Sequence, residues 1–150
     1  MARMPRIVVP DVPHDVTQRR NRQMQTYYMS ADYHVYMGYL AESIEKASTE
    51  VWAYCLMPNH VRFILVPGDI DGLRATFAES HTLYTRRVNS RRGWRKHLWH
   101  ESSHSLSKDR QHLYRAVRYV ELNPVAAGIC DDPMARRWSS ARAHVAGVGD

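Results

Sequence analysis

Four side chains in this sequence have the types and spacing to do chemistry together. His60 and Arg62 lie in an apolar, strand-forming run, and neighbours two apart on an extended strand share a face while Val61, Phe63 and Leu65 take the other. Tyr119 and Asn123 lie four apart in a helix-forming segment, so they share one helix face, with Arg115 a turn earlier. An imidazole can hold a metal or a hydrogen bond, an amide oxygen accepts, and a guanidinium only donates. A tyrosine hydroxyl can serve as a nucleophile. Taken alone, His60 also reads as a hydrogen-bonded structural histidine and Tyr119 as a packing residue with a wet hydroxyl.

The surrounding pattern supplies elements to hold these groups. Pro5, Pro10 and Pro13 keep an N-terminal arm over residues 1–13 extended. Val16 and Thr17 permit a first strand over residues 14–19, followed by the basic turn Arg19-Arg20-Asn21-Arg22-Gln23. Tyr33, Tyr36, Met37, Leu40, Ile44 and Ala47 recur at spacings of three and four, which predicts a helix over 32–49 capped by Ser30 or Asp32. Residues 50–57 and 60–66 are rich in strand formers and flank Pro58-Asn59, the signature of a hairpin with a short turn.

Leu73, Phe77, Ser80, His81 and Tyr84 predict a second helix over about 70–88, running into a basic loop that carries Arg86, Arg87, Arg91, Arg92, Trp94, Arg95 and Lys96. Residues 100–106 fit a fourth strand. A third helix spans 109–122 and ends at Pro124, and the tail reads as a loop and a short last helix. Strand, helix, strand, strand, helix, strand is the split βαβ order. The expected fold is therefore α+β and ferredoxin-like: one domain over 1–150, a four-stranded antiparallel sheet, helices mainly on one face, and an extra C-terminal helix.

At 150 residues the chain is long enough to bury a core without disulfides. Its 21 Lys and Arg exceed 15 Asp and Glu, giving a net charge of +6 that attracts phosphate backbones. Cys55 and Cys130 form no CxxC, so neither a disulfide framework nor a zinc ribbon is implied. No run approaches the roughly 20 apolar residues of a membrane span, so a soluble protein of the reducing cytoplasm is expected. Trp94 and Trp99 interleave the basic residues, as in proteins that combine phosphate contact with base stacking. Tyr27 and Tyr28 beside Arg19, Arg20 and Arg22 make a weaker case of the same kind. His97, His100, Glu101 and His104 read better as a polar loop and strand edge than as a metal site.

A series of segments carries a resemblance: Met4-Pro5-Arg6, Val16-Thr17-Gln18-Arg19, Ala53-Tyr54-Cys55-Leu56-Met57-Pro58-Asn59-His60-Val61, Tyr119-Val120-Glu121-Leu122-Asn123-Pro124-Val125-Ala126-Ala127-Gly128 and Trp138-Ser139-Ser140-Ala141. In this order the sequence resembles the REP-associated tyrosine transposases, relatives of the single-tyrosine (HUH) transposases of small bacterial insertion sequences. The resemblance implies cleavage and rejoining of single-stranded DNA at hairpin-forming repeats, through a 5'-phosphotyrosine intermediate. Tyr119 would be the nucleophile, and His60 and Asn123 would be ligands of a divalent metal, Mg2+ or Mn2+. Arg19, Arg20, Arg22, Arg62, Arg91, Arg92, Trp94, Arg95, Lys96 and Arg115 would contact DNA. A bacterial cytoplasmic protein follows, a monomer as in the REP-associated branch or a homodimer as in insertion-sequence enzymes.

The sequence departs from the family where the second metal-binding histidine belongs, because Arg62 stands there. Arginine stays protonated and cannot ligate a metal. His14 is followed by Asp15 rather than a second histidine, and Leu98-Trp99 by His100 rather than a basic-aromatic pair. Two readings follow: a strand-transfer enzyme altered at Arg62, or a non-catalytic nucleic-acid-binding remnant of one.

Overall fold

The computed structural model describes residues 7–20, 30–93, 95, 99–106, 109–132, 136, 138–141 and 144, with the backbone alone at Arg20, His100, Glu101 and Ser102. Its elements run β1 (His14–Arg20), α1 (Ser30–Ala47), β2 (Glu50–Met57), β3 (His60–Val66), α2 (Gly72–Arg92), β4 (Trp99–Leu106) and α3 (Arg110–Ala126). The strands form one sheet in the order β2-β3-β1-β4, each pair antiparallel. This is the split βαβ arrangement expected from the pattern.

The β2–β3 hairpin turns on Pro58 and Asn59, which sets Met57 opposite His60 and Cys55 opposite Arg62. That register sorts the strand residues into two sets. Val61, Phe63 and Leu65 join Val16 and Leu56 against Tyr33, Tyr36 and Leu40 of α1 and Leu73, Phe77, Tyr84 and Val88 of α2. On the other face, Ala53, Cys55, Met57 and Ile64 meet Ala116 and Val120 of α3. Helices α1 and α2 thus share one face, and α3 closes the β2–β3 half of the other. Cys55 is buried there, and burial pushes its thiol up to about 12.

Two helix ends differ from the sequence expectation. Helix α2 continues through residues 86–92, which the charge run suggested as loop, and stops at Gly93 in the left-handed region at φ 67°. Val88 supplies one more buried apolar turn, and Arg91 and Arg92 suit the negative end of the helix dipole. Helix α3 runs past Pro124 to Ala126. Proline's missing amide takes from the Val120 carbonyl its usual donor four residues on, a loss of one bond close to the helix end. Gly128 (φ 74°) then lets Ile129 N–H reach the Pro124 carbonyl at 2.9 Å and Gly128 N–H reach Val125 at 3.0 Å, a Schellman closure.

The C-terminal Trp-Ser-Ser segment fastens β2 and α3 together. Leu56 N–H donates to the Trp138 carbonyl at 2.8 Å, Ser140 N–H to Tyr54 at 3.0 Å, and Ser139 bridges Cys55, so the outer edge of β2 is paired. The Ser140 hydroxyl donates to Glu121 of α3 at 2.6 Å. The N-terminal arm is tied at its described end: neutral His14 donates from Nδ1 to the Val12 carbonyl at 2.7 Å and accepts Val9 N–H at Nε2. Among the described residues, no helix is long and apolar enough to cross a membrane.

Candidate functional site

Because His60 and Arg62 alternate with core residues of β3, both project toward α3, and the neighbouring strands continue their row. Arg19 lies opposite His60, Thr17 opposite Arg62 and Asp15 opposite Ile64. Helix α3 covers β2 and β3 but leaves this polar row along its flank.

The helix is held over the strand by a histidine braced on both sides. His60 Nε2 lies 3.1 Å from Asn123 Oδ1, and its Nδ1 lies 2.7 Å from Asn59 Oδ1 in the hairpin turn. Burial, reinforced by the positive field of Arg19 and Arg62, lowers the His60 pKa to about 4, so the ring is neutral near pH 7. A neutral imidazole has a single N–H, so one of the two amides turns its NH2 toward the ring. Asn59 is a site residue that the sequence pattern presents only as part of a turn. Its place next to His60 in a two-residue turn is the signal that could have found it.

One helical turn before Asn123, the Tyr119 side chain is largely exposed, and the guanidinium carbon of Arg62 lies 4.5 Å from its ring centroid. A cation–π contact at an exposed ring contributes about 0.5–1 kcal/mol, less than the roughly 1.5–3 kcal/mol of a hydrogen bond to a charged group. A hydrogen-bonded anion is therefore the stronger of the two kinds of partner for this guanidinium. Arg62 Nε is buried without a hydrogen-bond partner. Asp15 Oδ1 is in the same condition; burial raises its pKa, opposed by the charges of Arg62 and His112. Beside these groups, a recess of about 370 Å³ lies between Arg19, Met57, Pro58, His60 and, at the end of α3, Ala127 and Ile129.

His60, Arg62, Tyr119 and Asn123 are thus brought together, with Arg19 on the same sheet face and Arg115 exposed one turn up α3. Arg92 and Arg95 are exposed far along the chain from this cluster, at the end of α2 and just beyond it. Arg91 is engaged elsewhere, in a bidentate pair with Asp32 at 2.7 and 3.0 Å, and the Asp32 side chain is fully buried in the first turn of α1. Arg22, Trp94 and Lys96, the Arg20 side chain, and Tyr27 and Tyr28 fall outside the described residues.

The residues present do not fit a divalent metal. A neutral imidazole already committed to two amides, one amide oxygen and a permanent cation in the third position make a poor set for an ion that favours hard oxygen ligands. Among the described residues, no group of three or more His, Cys, Asp or Glu could hold a metal.

No protein-family model and no curated protein matches the chain by sequence. Its structure superposes on that of a REP-associated tyrosine transposase bound to a REP hairpin with a TM-score of 0.82, over 100% of this chain and 89% of the other, at 19% identity. The chain has that transposase's fold. A second similar structure, from Deinococcus radiodurans R1 and provisionally assigned as a transposase, gives a TM-score of 0.53 at 16% identity, over 81% of this chain and 97% of that one. In this transposase fold the polar row beside Tyr119 is the cleft between sheet and α3.

Proposed function

We propose that the chain is a member of the REP-associated tyrosine transposases, a bacterial cytoplasmic protein that binds single-stranded DNA at hairpin-forming repeats and cleaves and rejoins it. The observation that carries this reading is the convergence of two residue pairs from distant parts of the chain: Arg62 against the Tyr119 ring at 4.5 Å, and His60 against Asn123 at 3.1 Å. The similar transposase bound to a REP hairpin supports the substrate class.

In this reading the Tyr119 hydroxyl attacks a backbone phosphorus. A bond forms between its oxygen and phosphorus while the bond from phosphorus to the 3' oxygen breaks. The hydroxyl proton passes to water, the 3' oxygen leaves as a hydroxyl, and the 5' phosphate stays on tyrosine. Attack by a 3'-hydroxyl reverses the step and joins strands. His60 acts as a positioning residue here, since its bonds to Asn59 and Asn123 set the height of α3 and hence of Tyr119 above β3.

The test is incubation of the protein with a single-stranded oligonucleotide carrying the palindrome that neighbours its gene, in Mn2+ and separately in EDTA. A denaturation-resistant protein–DNA adduct that disappears in Tyr119→Phe is the expected result. Binding of the hairpin without any adduct would instead establish the non-catalytic reading. No binding at all would remove both.

A further inference from the structure

The mismatch between these residues and a metal becomes informative once the surroundings of Arg62 are considered. Its guanidinium lies on the ring of the nucleophile candidate, 4.5 Å from the centroid, and its Nε is buried with no partner. Arg19 stands diagonally across the β1–β3 pair on the same face, since it opposes His60 while Thr17 opposes Arg62. Diagonal neighbours of this kind are separated by about 7–8 Å at their Cα atoms, within the span at which two arginines can grip one phosphate. The positive field of both reaches His60.

Asp15 is the counter-charge on this face. It feels Arg62 through space, yet its Oδ1 and Arg62 Nε each lack a hydrogen-bond partner, so the two are not joined through those atoms. The arrangement keeps a permanent cation on the sheet, its charge partly balanced by Asp15. This differs from Arg91, whose two terminal nitrogens are both bonded to Asp32.

We infer that Arg62, with Arg19 beside it, is a phosphate clamp that holds the backbone of single-stranded DNA against Tyr119 without a divalent metal. This rests on the DNA-acting reading above. The planar donors meet the non-bridging phosphate oxygens, where negative charge grows as the tyrosine–phosphorus bond forms and the bond to the 3' oxygen breaks. Arg62 stays protonated throughout and takes no part in the proton transfers, which run to and from water.

Two measurements on the full chain test this. Mn2+ alone is added to the protein and its uptake followed by electron paramagnetic resonance, and affinity for the hairpin oligonucleotide is measured in Mn2+ and in EDTA. Wild type is expected to take up no Mn2+ and to bind DNA equally in both buffers. Arg62→Gln should bind about tenfold more weakly with a salt slope smaller by about one, whereas Arg62→Lys, which keeps the charge but not the planar fork, should keep the wild-type slope and fall between the two in affinity. Arg62→His, which supplies a second imidazole, should gain Mn2+ uptake that is lost again on adding His60→Ala.

Mn2+ uptake by wild type, or DNA affinity that falls in EDTA, would overturn the inference. So would equal DNA binding by wild type and Arg62→Gln, or failure of Arg62→His to take up Mn2+. If wild type binds no DNA under any condition, the proposed function itself fails and the clamp with it. Failure of the clamp alone leaves DNA binding intact.

Discussion

Arg91 and Arg62 read alike in the sequence as basic residues available to DNA, but they occupy opposite sides of the sheet. At the α1–α2 seam, Arg91 closes a bidentate pair on a fully buried carboxylate. At the β3–α3 seam, Arg62 lies on an exposed ring with an unsatisfied nitrogen. A guanidinium bonded at both terminal nitrogens to a carboxylate inside the protein contributes to holding the helices together. One that rests on an exposed aromatic ring is held in place more weakly. Net charge does not distinguish them; partners do.

The comparison is sharpest in stability. Arg91→Ala removes the bidentate bond to the buried Asp32 carboxylate and should lower unfolding free energy by about 3 kcal/mol, whereas Arg62→Ala should change it by less than about 1 kcal/mol. Urea denaturation of the two variants measures this, and equal losses would erase the distinction. Next in size is the response to acid. His81 is buried beneath Trp99, 4.1 Å between ring centroids, and bonded to Tyr36 at 2.7 Å; burial takes its pKa from 6.5 to about 3. His60 is lowered to about 4, and His14 is lowered as well. Unfolded, these rings take up protons below about pH 6.5, so stability is complete above that pH and falls as pH drops toward the folded values. Thermal melts between pH 8 and pH 4 should show this loss, and His81→Gln should flatten it more than any change at Arg62.

A smaller effect is expected at the tie between α3 and the C-terminal segment. Glu121→Ala removes the Ser140 bond and the contact with His144, and should cost about 1 kcal/mol while reducing adduct formation more than DNA binding. Should binding and adduct fall together, Glu121 does not set the position of Tyr119. Least of all, Arg92→Gln and Arg95→Gln should each reduce the salt slope of DNA binding by at most about one with little change in stability. A larger drop there than at Arg62 would move the DNA path to the end of α2.

Local pattern made much of this molecule legible. The hairpin follows from strand formers around Pro58-Asn59, and the alternation along β3 by itself separates His60 and Arg62 from Val61, Phe63 and Leu65. The four-residue interval between Tyr119 and Asn123 likewise puts them on one helix face. Part of what escaped was set by contacts distant in sequence. The pairing of Arg91 with Asp32 spans 59 positions, and no local rule separates Arg91 from Arg92. The extension of α2 depends on Val88 reaching a core built by other elements. The persistence of α3 beyond Pro124 depends on the closure at Gly128, which a rule about proline alone does not include. Asn59 serves as turn and brace at once, and the first role conceals the second.

Strand β3 carries two independent inscriptions on one backbone. Val61, Phe63 and Leu65 specify the fold through the core beneath α1 and α2, while His60 and Arg62, interleaved with them, face the cleft. A change at position 62 can therefore rewrite what the cleft binds without disturbing the main core.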